Sequence, residues 1–469
     1  MLHSLVRRTG LSLLALTLLF MVYSSSVPTV SAQAAATIRI NGTQRFQAID
    51  GFGFSEAFGR AASMYNATPD VQKQMLDLLF STKTGAGFTI LRNIINSDAS
   101  SIEPTGPASA TDAPQYVWDG SDSSQVWLSQ QAQQYDVRSI YADAWSAPGY
   151  MKTNDDQANG GTLCGAPGAA TCASGDWRQA YANYLAQYIQ DYRSAGVKLS
   201  NIGFVNEPSL VTSYSSMVMS GTQMADFVKV LGPTLLANHL KTQITCCEAE
   251  GWDLAPADTS AIVNDPVANR YVRIISSHGY TAPPTSPLLA GSKHVWQTEW
   301  ANFDTWDPAW DDGTDAAGFT WAQRIYTALT AANVSAFLHW WGVNTSNTNS
   351  GLLHLTNNTV QVSSRFWAFA NYSRFIRPGA VRIGAATSDT NLETTAFRNV
   401  DGSTTIIALN TASTAIPASF ALQHAHGLFA TPYLTDASNN TAQQAPLWLH
   451  RGSFSTTVPA RALVTYQIA

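Results

Sequence analysis

The stretches Phe204-Val205-Asn206-Glu207-Pro208 and Val295-Trp296-Gln297-Thr298-Glu299-Trp300 decide the fold. Each is a short apolar, β-like run that ends on a glutamate. The first is stopped by Asn206-Glu207-Pro208, the second by Trp300. Both belong to a longer series. Runs of this kind at 48–54, 88–94, 138–145, 202–205, 243–248, 271–278, 294–298 and 336–341 make eight. Helical patterns separate several of them. Val71, Met75, Leu78 and Leu79 mark 70–80; Tyr181, Tyr184, Leu185 and Tyr188 mark 177–192; Trp321, Ile325 and Leu329 mark 317–331. Strand then helix, repeated about eight times between 49 and 341, predicts an α/β fold of the closed (β/α)8 type, a TIM barrel.

Past Arg377-Pro378-Gly379 the texture changes. Helical periodicity stops, and Thr/Ile/Val/Ala-rich runs at 404–409, 418–422 and 462–468 alternate with turns such as Asp401-Gly402. This predicts an appended antiparallel β-sandwich. A strand at 37–40, followed by the Asn41-Gly42 turn, is a candidate to join it. The N-terminus carries Arg7 and Arg8, an apolar run from 11 to 23, and small residues at Val30-Ser31-Ala32 and Ala32-Gln33-Ala34. That is the layout of a secretory signal peptide, and the run is short for a membrane span. The chain thus divides into a signal peptide at 1–33, a strand at 34–48 that joins the sandwich, a barrel at 49–374 and the sandwich at 375–469. The expectation is a secreted, extracellular monomer with no membrane contact once the signal is removed.

Of 469 residues, 45% are apolar and 12% charged, with a net charge of -6. The charged share is about half the usual figure of roughly 25%, while aromatics reach 11%. A basic face for nucleic acid is not in prospect. A weakly charged, Trp- and Tyr-rich surface suits a neutral or mildly acidic polymer. Cys164 and Cys172 flank a Gly/Ala/Pro loop and read as a local disulfide in an oxidising compartment. Cys246 and Cys247 are adjacent, either a vicinal disulfide or two buried thiols. No Cys/His spacing matches a zinc site, so neither metal nor cofactor is expected. Glycosylation sequons begin at Asn41, Asn66, Asn333, Asn344, Asn357, Asn371 and Asn439.

In a βα barrel the strand C-termini and the loops after them form the functional face. Glu207 and Glu299 fall there, after the fourth and seventh runs. Two carboxylates at close range, one holding a proton and one ionised, are the minimum equipment for splitting a glycosidic bond. Arg92, at the end of the second run, is placed to pair with Glu299 and keep it charged. Tyr280, on the sixth loop, is placed to hydrogen-bond the same carboxylate. His278, two residues earlier, reads as a structural histidine. Trp145, Trp340 and Trp341 end runs three and eight, where flat indoles suit stacking on sugar C–H faces. Period-2 alternation sends one of the adjacent pair outward, and Trp341 is taken as the one in the site. Glu56 and Glu248 lack a paired context and read as supporting or surface acids.

Asn206-Glu207-Pro208 with Thr298-Glu299-Trp300 resembles the clan A glycoside hydrolases. Gly51-Phe52-Gly53-Phe54-Ser55-Glu56-Ala57-Phe58 resembles glycoside hydrolase family 30. So does the passage through Phe366-Trp367-Ala368-Phe369 and Ile376-Arg377-Pro378-Gly379 into a terminal sandwich, and the likeness spans nearly the whole mature chain. The resemblance implies that Glu207 is the acid/base, Glu299 the nucleophile and Asn206 a donor to the sugar 2-OH. Residues 54–61 are most similar to the largely fungal xylanase branch, subfamily 7. This implies β-1,4-xylan of plant cell walls as substrate, glucuronate-branched xylan included, with Arg60 a candidate partner for the branch carboxylate. The bacterial glucuronoxylanase branch has a basic cluster after strand eight; here Trp341-Gly342-Val343-Asn344-Thr345 has none. The same machine on β-1,6-galactan, β-1,6-glucan or glucosylceramide is the alternative. A non-catalytic carbohydrate-binding protein on this scaffold is disfavoured by retention of both glutamates.

Overall fold

The computed structural model describes residues 35–425 and 427–469; the expected signal peptide lies outside them. The first strand, β1 (Ala36–Ala48), belongs to the sandwich sheet. The barrel follows: β2 (Gly51–Ser55), β3 (Ile90–Ile95), β4 (Ser139–Ala144), β5 (Asn201–Ile202), β6 (Gln243–Ala249), β7 (Val272–His278), β8 (His294–Glu299) and β9 (Ala336–Asn344). Neighbours pair in parallel, and β9 pairs with both β8 and β2, which closes the cylinder. The expected (β/α)8 barrel is present. Its strands read as continuous apolar runs because helices cover the outer face and side chains fill the inner one. Every residue of β3 is buried. Ile90, Tyr141, Ile274, Trp296, Ala336 and Leu338 form a packed plug inside the barrel.

Local signals set the helices. Pro69 opens the helix Pro69–Phe80 at its first turn, where a missing N–H costs nothing. Ser220 caps Gly221–Ala237 through a reciprocal box with Gln223. The fourth strand departs from the sequence expectation of 202–205. Only Asn201–Ile202 pair with neighbours. Phe204 and Val205 are apolar because they are buried, not because they ladder. The Phe204 carbonyl accepts from Tyr181 Oη at 2.7 Å, and its ring packs 5.1 Å from Phe227. Glu207 therefore stands on a loop beyond the strand.

The C-terminal part is a β-sheet domain around Ile38, Ile40, Phe420, Phe454 and Tyr466. Its strands pair antiparallel, as Leu392–Arg398 does with Thr404–Asn410 and Thr404–Asn410 with Leu463–Ile468. One pairing differs: β1 runs parallel to Ile416–Gln423, with Ala36 opposite Ala418. The sheet is mixed rather than purely antiparallel. Tight hairpins enforce antiparallel order, and the whole barrel separates these two strands in the chain, so no hairpin fixes their sense. Both disulfides form, Cys164–Cys172 and Cys246–Cys247, the second across a cis peptide. Asn344 and Asn371 are buried with their amide groups bonded inside, so their sequons hold no glycan.

The two parts share one core. Phe397, Ile407, Leu409 and Leu463 of the sheet domain join the cluster that holds Phe369 and Tyr372 of the helix Ser364–Ser373. Thr465 Oγ1 donates to the Asn371 carbonyl at 2.8 Å, and Phe375 packs 4.5 Å from Tyr433. Phe397→Ala should cost about 3–5 kcal/mol. Calorimetry should show one transition at lower temperature; separate melting of barrel and sheet domain would contradict a shared core.

Candidate active site

The loop after β5 starts at Gly203. A Cβ there would stand 1.9 Å from Asp143 Oδ1 and 2.5 Å from Tyr141 Oη, so only glycine lets this backbone reach the barrel axis. At Glu207 the backbone turns left-handed, φ 46°, and Glu248 at the end of β6 does the same, φ 54°. Such conformations persist in non-glycine residues when surrounding bonds over-determine them. Here the Glu207 N–H donates to the Glu248 carbonyl at 2.9 Å, and Leu210 N–H donates to the Glu207 carbonyl at 2.8 Å.

Glu299 closes β8. Its Oε2 accepts from Arg92 Nη1 and its Oε1 accepts from Tyr280 Oη at 2.8 Å. Arg92, on β3, has no solvent exposure. Its Nη2 donates to Asp143 Oδ2 at 2.7 Å, Asn206 Oδ1 at 2.6 Å and Glu248 Oε2 at 3.1 Å. His278, also fully buried, bridges the second carboxylate: Nδ1 lies 3.0 Å from Glu207 Oε1 and Nε2 2.9 Å from Glu248 Oε2. Glu248 further accepts from Tyr141 Oη at 2.8 Å and Thr298 Oγ1 at 2.7 Å. A carboxylate oxygen from each of Glu207 and Glu299 and a ring nitrogen of His278 lie within 4.8 Å of one another.

Burial alone would strip the His278 proton. Glu299, Glu207 and Glu248 around the ring more than reverse this, and raise it to about 10. Both ring nitrogens are then donors, one to each glutamate they face. Burial likewise opposes charge on Glu248, yet Arg92 and His278 hold it ionised, down at about 2. Burial, more than Arg92 offsets, raises Asp143 to about 8, so it is neutral below that pH. Glu299 is pushed above the usual carboxylate range by burial first, against His278 and Arg92, with Glu207 adding repulsion. Arg92 and Tyr280 hydrogen-bond the two Glu299 oxygens, contacts that favour its anion against the burial.

Above these groups opens a cleft of about 400 Å³. Trp340 and Trp341 form one wall, stacked with centroids 5.0 Å apart. Phe58 packs edge-on to Trp145 and to Tyr214, at 5.5 and 5.9 Å. The alternation expected at the tryptophan pair fails. The β2–β9 register skips Trp340 between His339 and Trp341, and this bulge turns both indoles to the cleft.

Glu207, Glu299, Asn206, Arg92, Tyr280, Trp145 and Trp341 thus come together. Arg60 does not. It opens the helix Arg60–Tyr65 with its guanidinium 4.0 Å over the Trp341 ring, and it does not line the cleft. Expected on the first loop, it stands instead at the first position of a helix, its side chain directed to the indole and to the buried Glu56. His278, read as a structural histidine, binds Glu207 and lies 3.8 Å from Glu299, and Glu248, read as a supporting or surface acid, binds His278 and Arg92 behind them. Asp143 had gone unmarked, although its spacing from Tyr141 on one strand puts both on the inner face.

A family model described as the glycosyl hydrolase family 30 TIM-barrel domain matches residues 49–301, and that of the family 30 β-sandwich domain matches 379–466. The catalytic domain of a family 30 xylanase C from Talaromyces cellulolyticus superposes with a TM-score of 0.88 at 44% identity, covering 92% of this chain and all of that one. An endo-1,6-β-D-glucanase of Aspergillus fumigatus is 26% identical over 399 residues, 78% of this chain and 79% of its own. A putative glucosylceramidase of Caenorhabditis elegans is 26% identical over 415 residues, 80% of this chain and 76% of its own.

Glu248→Gln should leave Arg92 and His278 short of a buried counter-charge, at a cost of about 3–5 kcal/mol. A melting temperature within a degree of wild type would contradict this reading of the network.

Proposed function

We propose, for a chain that belongs to glycosyl hydrolase family 30 through both its barrel and its sandwich, that it is a secreted retaining enzyme cleaving β-1,4-xylan. The observation that carries the mechanism is the approach of Glu207 and Glu299 oxygens to within 4.8 Å. Retaining enzymes hold their carboxyl groups about 5–5.5 Å apart, and inverting ones about 6.5–9.5 Å to admit a water. The likeness to the Talaromyces xylanase at 44% identity supports xylan. Secretion is supported by the leader-like N-terminus and the two disulfides.

Glu299, ionised by its two donors, attacks the anomeric carbon. The bond to the leaving oxygen breaks, and Glu207 gives that oxygen its proton. Glu207, now a base, takes a proton from water; the water oxygen attacks the same carbon and Glu299 leaves. His278 orients Glu207 from behind, and Arg92 orients Glu299. Asn206 Oδ1 is held by Arg92, which leaves its N–H2 as the donor for the sugar 2-OH. Trp340, Trp341 and Trp145 face the cleft with apolar surface for sugar rings.

Incubation with arabinoxylan, glucuronoxylan, β-1,6-galactan and β-1,6-glucan tests the substrate. Xylo-oligosaccharides should appear from the first two. Release from β-1,6-glucan alone would favour the activity of the Aspergillus relative. Glu299→Ala should lose at least about a thousandfold in kcat while remaining folded by near-UV circular dichroism; near-normal turnover would reject its role. Burial raises Glu299, so the acidic limb of kcat/KM should lie above the ordinary glutamate value of about 4.3. Tyr280→Phe removes a donor to the ionised form and should move that limb higher still. An unmoved limb would remove Tyr280 from this task.

A further inference from the structure

The cleft is lined by three carboxylates, Glu207, Glu250 and Glu299, and by no cation among the described residues. Arg92 lies beneath the site with its guanidinium engaged by Glu299, Asp143, Asn206 and Glu248. Arg60 sits over Trp341. Glu207 and Glu299 have partners for their charge. The Glu250 carboxylate has none among the described residues. It stands just past β6, half-buried, and its backbone carbonyl accepts from the Tyr280 N–H at 3.1 Å. The loop that presents it is therefore pinned to the residue that holds Glu299.

Burial, then repulsion from Glu207, pushes the Glu250 carboxyl up, and Asp253 adds a further negative charge. Glu207 N–H donates to the carbonyl of Glu248, two residues before Glu250, and both carboxylates line the cleft, so Glu250 stands beside the group assigned as the proton donor to the departing sugar, on the leaving-group side. A cleft walled by low-dielectric indoles focuses such a charge.

We propose that Glu250 determines which branches the cleft accepts: its unpaired carboxylate rejects a uronate on the leaving-group side and admits unbranched or neutrally branched backbone. This rests on the reading of the protein as a xylan-cleaving enzyme. An acidic branch entering there would meet a like charge and lose hydration with no cation to replace it.

The test is the ratio of kcat/KM for an unbranched xylo-oligosaccharide to that for one of equal length bearing a single glucuronic acid. Glu250→Gln should lower this ratio about three- to fivefold, and Glu250→Lys should lower it further. In the wild-type enzyme, raising the salt from 20 mM to 500 mM, on the order of a fourfold or greater cut in screening length, should lower the ratio in the same direction without any substitution. A ratio unchanged in Glu250→Gln and indifferent to salt overturns the proposal while leaving the xylan reading intact. Failure of the wild-type enzyme to cleave either oligosaccharide overturns the xylan reading and this proposal with it.

Discussion

A guanidinium with no access to solvent organises this molecule. Arg92 binds oxygens from Asp143, Asn206, Glu248 and Glu299, which arrive from four other segments of the barrel. A buried charge is tolerated only when it is paired and hydrogen-bonded. Each of these segments must therefore end at the same height on the cylinder. His278 repeats the arrangement on the other side, between Glu207 and Glu248. With Asp143 neutral, the cations Arg92 and His278 face the carboxylates of Glu207, Glu248 and Glu299. This pairing lets a site this dry hold so many ionisable groups.

The same network explains the local backbone. Glu207 and Glu248 both take left-handed conformations that cost energy in any residue with a side chain. Their mutual N–H to carbonyl bond, and the ring of His278 between their carboxylates, fix what the chain alone would relax. The core of the sheet domain is continuous with the helix Ser364–Ser373 and with Phe52 and Phe337 of the closing strands β2 and β9.

Much of this was legible in the residues. Eight apolar runs with helical stretches between them specify a barrel, and glutamates at two of their ends specify its working face. What failed did so for local reasons. Phe204 and Val205 looked like strand because burial and pairing select the same side chains. The Trp340–Trp341 pair defied alternation because a bulge intervenes, and bulges leave little trace in composition. Glu248 looked unremarkable because its partners Tyr141, Thr298, His278 and Arg92 lie between 30 and 156 residues away. Arg60, expected on the loop after the first barrel strand, opens a helix instead, and its guanidinium lies over the Trp341 indole. The sense of β1 was unreadable because nothing short connects it to its parallel neighbour.

The central claim is that two carboxylates meet at bonding range of one sugar carbon, so that the first product keeps the configuration of the bond that was cut. Proton NMR of freshly cleaved xylo-oligosaccharide, recorded before mutarotation, measures this directly. The β-anomer of the new reducing end should appear first and the α-anomer should follow by equilibration. First appearance of the α-anomer would show that water, not Glu299, attacks the sugar.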